Sequence, residues 1–290
     1  MPKTLGTTLL FLSVVRPAAA FQIASDSSWV RRCAIYEVFV RDFSLTGDFK
    51  GVNRGLDRIQ SSGANVVWLM PISPVGVLNH KGPLGSSYAV RDYRAINPAY
   101  GTARDFKALV HAVHVRGMKV ILDWVPNHTA WDNVWIKEHP DFYVRNEHGE
   151  ISVPRDPDGK LTDWTDVAQL DYKNPELRRT MIAVMQWWLT EYGIDGFRVD
   201  AAGFIPDAFW REAVPALRAA ARRPILLLAE WGDLKMQSAG IRPHVRVGLL
   251  WSPQGRLGRR ARRDVRHGRS EGHAGDAARR DADALHHESR

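Results

Sequence analysis

The chain of 290 residues has one cysteine, Cys33. An intrachain disulfide is therefore excluded, which permits export without arguing for it. No apolar run is long enough to span a bilayer, so no stable membrane anchor is expected. There is no repeat of the solenoid type. From about residue 237 apolar residues are scarce, and Arg, Gly, Ala, Asp and His dominate. A net charge of +8 raises the question of a polyanion partner, but roughly half of that excess lies in the last forty or so residues. The body carries little sign of a nucleic-acid surface, and no nucleic-acid partner is expected of it.

With 44% hydrophobic residues the chain can bury one large core. Its first twenty residues read as a secretory signal: Lys3, the apolar run LGTTLLFLSVV, then small residues suited to cleavage before Phe21. Arg16, just behind the apolar run, fits that pattern least. The location expected is secreted or periplasmic.

Three runs each bring a carboxylate to the end of a buried-type strand. They are KVILDWV at 119–125 with Asp123, GFRVDAA at 196–202 with Asp200, and ILLLAEW at 225–231 with Glu230. Arg198 and Asp200, two apart, fall on one face of a strand. A guanidinium there favours an ionised carboxylate, which suits a nucleophile and equally a structural ion pair. Glu230 follows an apolar run and precedes Trp231, surroundings that favour a protonated carboxyl.

Around these runs strands and helices alternate. AIYEVFV at 34–40 and VVWLMP at 66–71 read as the first two strands. Periodicity predicts helices over 53–62, 102–116, 175–191 and 207–222, with Pro215 expected to kink or interrupt the last. A long Gly/Pro/His-rich loop follows the second strand and contains GSSYAVRDY at 85–93. Residues 130–174 lack clear periodicity, and a stretch of that length marks either a misassigned element or a functional insertion. The order is that of a parallel sheet.

The motifs DWVPNH (123–128), GFRVD (196–200) and AEW (229–231), in this order and at these intervals, resemble the α-amylase family of glycoside hydrolases. The likeness runs from about residue 34 to about 237. It implies an α/β fold of the TIM type, a (β/α)8 barrel, with a small irregular subdomain after the third strand; QLDY at 169–172 is similar to a motif of that subdomain. The barrel is expected to be incomplete. The chain then divides into a signal peptide (1–20), a partial catalytic barrel (21–237) and a disordered or out-of-frame basic tail (238–290), in which VGLLW at 247–251 is the last strand-like run. We read the tail as the product of a frameshift or misjoined reading frame in a GC-rich gene, with an authentic disordered tail or a truncation as alternatives.

The resemblance also implies roles. Asp200 is the nucleophile and Glu230 the general acid/base of a retaining mechanism on α-1,4-linked glucans or maltooligosaccharides. His128 hydrogen-bonds a sugar on which Tyr88 stacks; Arg198 and Trp231 contact substrate; Asp123 supports Arg198 or its loop. Trp124, Trp131, Trp135 and Trp164 are expected with Trp231 around the mouth, and Trp188 in the core. Asn127 matches a calcium position, although the chemistry needs no cofactor. Two features depart from the family: Gly203 and Phe204 stand where Lys and His often follow the nucleophile, and no Asn-His-Asp occurs after Glu230. HHES at 286–289 is no substitute, so activity of this chain is expected to be impaired or absent. A non-catalytic carbohydrate-binding relative and a basic-tailed polyanion binder are the other readings.

Overall fold

The computed structural model describes residues 28–231 and 241–243. The expected signal segment, the strand-like run at 247–251 and nearly all of the tail lie outside the described residues.

Six strands form one parallel sheet: β1 (Ile35–Val38), β2 (Val66–Leu69), β3 (Lys119–Trp124), β6 (Gly196–Val199), β7 (Leu226–Ala229) and β8 (Arg242–Pro243), in that order. The remaining two, β4 (His128–Ala130) and β5 (Val167–Gln169), pair antiparallel in the insertion. Successive parallel neighbours and intervening helices make a partial TIM-type barrel, as expected from the sequence. Its sheet runs one strand beyond the five expected, because Arg242–Pro243 pairs with residues 228–229 and Ile241 beside it is buried.

The helices form where the sequence places caps and apolar stripes. Ala103–Val115 starts at a Thr102–Asp105 capping box and buries Phe106, Leu109, Val110 and Val113. Pro175–Glu191 has Asn174 accepting from the backbone of Glu176 and Leu177, with Pro175 at its first position. The stretch expected as one helix over 53–62 is two short ones, Phe49–Arg54 and Leu56–Ser61, divided at Gly55. Asp207–Ala221 runs through Pro215 without interruption. That proline is on the exposed side, where water can satisfy the freed carbonyl. On the opposite side Phe209, Trp210, Val214 and Leu217 are fully buried and hold the helix in place.

Alternation along the strands separates two faces. One packs under the helices in the main core. The other carries Val66, Trp68, Ile121, Leu226 and Leu228, packed against Trp29, Val30, Cys33 and Ile35. Towards the carboxyl ends of the strands the same face turns polar, with Glu37, Asp123 and Arg198. Gly196 lets β6 lie close to β7, since a Cβ there would run into the Leu226 backbone.

The insertion is ordered by short-range hydrogen bonds. Two turns repeat one design: Asn146 Oδ1 accepts from the backbone of His148 and Glu150, and Asp156 Oδ1 accepts from Asp158 and Lys160. Arg145 and Arg155 donate across their own turns to the carbonyls of Gly149 and Gly159. Each turn is closed by a bridge, Arg145 to Ile151 and Arg155 to Leu161.

Candidate active site

Parallel register places Asp123 directly beside Arg198 across β3 and β6. Arg198 Nη1 lies 2.9 and 3.1 Å from the two Asp123 carboxylate oxygens and 3.0 Å from Asp200 Oδ1, while Nη2 lies 2.7 Å from Glu230 Oε1. One guanidinium therefore holds all three acids. Its own Nε has no partner among the described residues. Trp68 donates Nε1 to Asp123 Oδ2 at 3.1 Å, and its ring lies 5.0 Å from the Arg198 guanidinium carbon.

Asp200 and Glu230 emerge at the carboxyl ends of β6 and β7, the edge where barrels of this kind keep their sites. Two carboxylates bound to one guanidinium are within reach of a single sugar ring. Ala201, between them in the chain, has left-handed backbone (φ +45°), and its N–H donates to Glu230 Oε2 at 3.2 Å. A non-glycine residue in that region stores strain of about 1 kcal/mol; here the strain aims a backbone donor at an acid.

The electrostatics differ from the sequence expectation. Burial, joined by the charges of Asp123 and Glu230, raises the proton affinity of Asp200 to a pKa of about 8 against the pull of Arg198. Burial likewise raises Asp123, to about 7, against Arg198 and the Trp68 hydrogen bond. The arginine was expected to keep Asp200 ionised, but one positive charge divided among three acids does not suffice. Glu37, at the end of β1, is a fourth acid facing this group, and its pKa is raised mainly by burial. Nor does Glu230 sit in the expected apolar surroundings: its side chain is 52% exposed and rests on Arg198.

A cavity of about 420 Å³ opens here, lined by Asp200, Glu230, Arg198, Tyr88, His128, Trp164 and Asp166 among others. The Tyr88 hydroxyl is 3.4 Å from Asp123 Oδ2. His128 is buried, and burial lowers its pKa to about 4, so the ring is neutral at ordinary pH. Asn127 Nδ2 donates to its Nδ1 at 3.2 Å. Lys81, from the loop after β2, ties the insertion over this end of the cavity, 2.5 Å from the Asp163 carbonyl and 3.6 Å from Asp166 Oδ1.

The calcium expectation rests on Asn127 alone. A hard cation takes six to eight oxygens; the bond to His128 engages the nitrogen of the buried Asn127 amide and not its oxygen, and no three Asp, Glu, His or Cys side chains converge on a metal site among the described residues.

Not all the expected aromatic residues reach the mouth. Trp124 and Trp135 are buried against Tyr93, and Trp188 is core as expected. Trp131 is partly buried and donates Nε1 to the Thr165 carbonyl. Trp164 lines the cavity, and Trp231 lies beside Glu230 against Gly203 and Phe204. A Cβ on Gly203 would fall within the Trp231 ring. Gly203→Ala is thus expected to displace Trp231 and change the near-UV circular dichroism while leaving the far-UV spectrum intact; an unchanged near-UV spectrum would contradict this packing. Sequence reading missed Glu37, Trp68, Asp166 and Lys81 as neighbours of the site. Alternation offers a signal for the first two, since Glu37 pairs in register with Trp68 and both lie on the face of Asp123.

A partial parallel barrel with paired acids at its carboxyl edge is the construction of a glycoside hydrolase. The chain belongs to the alpha-amylase family: the alpha amylase catalytic domain matches residues 19–164 and 160–223. Among its relatives, alpha-amylase 3 of Dictyoglomus thermophilum is 30% identical over 230 residues, 71% of this chain and 44% of that protein. Trehalose synthase/amylase TreS of Mycobacterium tuberculosis is 33% identical over 226 residues, 67% of this chain and 36% of that protein. The crystal structure of an alpha-amylase from Lactobacillus plantarum superposes with a TM-score of 0.66 at 41% identity, covering 74% of this chain and 50% of that one. The chain spans half or less of the length of these relatives.

Proposed function

We propose that this site hydrolyses α-1,4-glucosidic bonds in starch-like glucans or maltooligosaccharides with retention of configuration, with impaired activity expected of this chain. The observation that carries the reading is the sharing of Arg198 by Asp200 and Glu230 at the rim of one cavity. Retaining enzymes place their two carboxyl groups about 5 to 5.5 Å apart. Glu230, as general acid, gives a proton to the glycosidic oxygen while Asp200 bonds to the anomeric carbon and the leaving sugar departs. Glu230 then takes a proton from water, which displaces Asp200 and restores the original configuration. Arg198 fixes the separation of the two acids and Asp123 fixes Arg198. Tyr88, His128 and Trp231 are assigned to sugar contact. The composition of residues 1–20 supports export to a secreted or periplasmic location, which fractionation of the expressed protein checks.

A second reading, a sugar-binding relative without catalysis, is favoured by the burial of Asp200 beside Asp123, which pushes its carboxyl up to about 8; a protonated carboxyl is no nucleophile. Maltotriose hydrolysis by the full chain, followed by proton NMR between pH 5 and 9, separates the two. Hydrolysis is expected to rise as pH climbs towards 8, with the α-anomer of the newly formed reducing sugar appearing first. The β-anomer appearing first would sink retention. Maltotriose binding with no cleavage at any pH would favour the second reading.

A further inference from the structure

Asp166 is a buried acid that the chemistry above does not use. It lines the same cavity as Asp200, Glu230, Tyr88 and His128, and its side chain is only 9% exposed. Among the described residues no hydrogen-bond donor reaches its carboxylate. The one cation near it, Lys81 Nζ, stands 3.6 Å from Oδ1, is half in water, and is bound at 2.5 Å to the Asp163 carbonyl instead. A charge-assisted hydrogen bond closes to about 2.7–2.9 Å, so Lys81 offsets the charge without satisfying the oxygens. An acceptor taken out of water with no donor is costly. The open side of this carboxylate is the cavity, and its donors must come from there, from water or from a ligand that displaces it.

The backbone on either side is braced. Lys81 holds the Asp163 carbonyl, Trp131 donates Nε1 to the Thr165 carbonyl at 2.9 Å, and Val167 pairs with Ala130 across β5 and β4. An acid on so fixed a segment keeps its place when a ligand arrives. His128 opens β4, and the Asp166 charge acts on its ring, opposing the effect of burial. The unpaired acceptor therefore lies beside the ring already assigned to sugar contact.

We propose that Asp166 is a specificity-determining residue: its carboxylate accepts hydrogen bonds from hydroxyls of the sugar seated against His128. The assignment deepens the glycosidase reading and rests on it, since it takes that sugar to be a glucose unit of the substrate. A site built to pair a hydroxyl rejects the analogue that lacks it, because the buried partner is then left unpaired. Asp166 thus discriminates between sugars that differ by one hydroxyl.

The test is calorimetric titration of the full chain with methyl 4-thio-α-maltoside, whose interglycosidic sulfur resists hydrolysis, and with its four derivatives that each lack one hydroxyl of the non-reducing glucose. The wild-type chain is expected to lose about tenfold in affinity for at least one derivative, and Asp166→Ala about tenfold for the parent compound. The two losses should not add: Asp166→Ala binds that derivative within about threefold of the parent. A residue that merely holds the insertion together weakens all five compounds alike. Additive losses for every derivative therefore overturn the assignment, as does unchanged affinity of Asp166→Ala for the parent. Should Asp166→Ala fail to fold, Asp166→Asn keeps the shape and one acceptor oxygen. Its expected loss is about threefold for the parent and none for that derivative; a loss shared by all five compounds, or no loss at all, overturns the assignment. These outcomes leave the glycosidase reading standing, whereas absence of binding by the parent compound and by maltotriose overturns both.

Discussion

Arg198→Met will cost the fold about 3–5 kcal/mol at pH 8 and less than about half of that at pH 4.5. The arginine side chain is 6% exposed and contacts Asp123, Asp200 and Glu230 at once. Methionine has a similar volume, so the loss is one of charge and hydrogen bonds rather than packing. At pH 8 an ordinary carboxylate is ionised, so without the arginine the buried acids Asp123 and Asp200 must either stay charged and unpaired or hold protons against the solvent, and either is costly; the Asp123 side chain is wholly buried. At pH 4.5 Asp123 and Asp200 hold their protons at little cost, because burial has already raised both towards neutrality. Urea unfolding at the two pH values checks this, and an equal loss at both would mean that Arg198 acts through packing alone. Arg198→Lys will not rescue, since one ammonium cannot span acids that sit on two different nitrogens of a planar fork.

Asp200→Asn is expected to abolish hydrolysis, by at least about a thousandfold, and yet to make the protein more stable at pH 8. A carboxyl bound to a proton more tightly when folded than when unfolded contributes its full stability below its ordinary value of 3.8; that contribution is lost as pH rises towards about 8. The amide keeps the shape and an oxygen for Arg198 but never ionises. It should gain about 1–2 kcal/mol at pH 8, several degrees in Tm, and nothing at pH 4. Thermal melts of the two proteins across that range decide the matter. A variant less stable than wild type at pH 8 would show that Arg198 outweighs the neighbouring acids after all.

The sequence made the strands and the three acids legible because each acid ends a short apolar run of strand length. Asp200 and Glu230 do share a rim, and the helices over 103–115 and 175–191 follow their caps closely. The sharing of one arginine was not legible, since it depends on register: only when β3 and β6 align does Asp123 become the first partner of Arg198 and leave Asp200 short of positive charge. Trp124 was assigned to the mouth even though alternation already argued against it. It neighbours Asp123 in a strand and must point to the opposite face, where it packs on Phe197 and Tyr93. The break at Gly55 and the continuity through Pro215 were decided by packing, which overrides local propensity in both directions.

The insertion looked structureless from periodicity because its order comes from side chains that bond to their own turns. The signal was a spacing, Arg-Asn-x-x-Gly at 145–149 and Arg-Asp-x-x-Gly at 155–159. Since each loop tip closes its own circuit, either can be exchanged or lengthened without asking the sheet to adjust. Selection, or a protein engineer, is therefore free to graft new tips onto this segment and leave the acids beneath undisturbed.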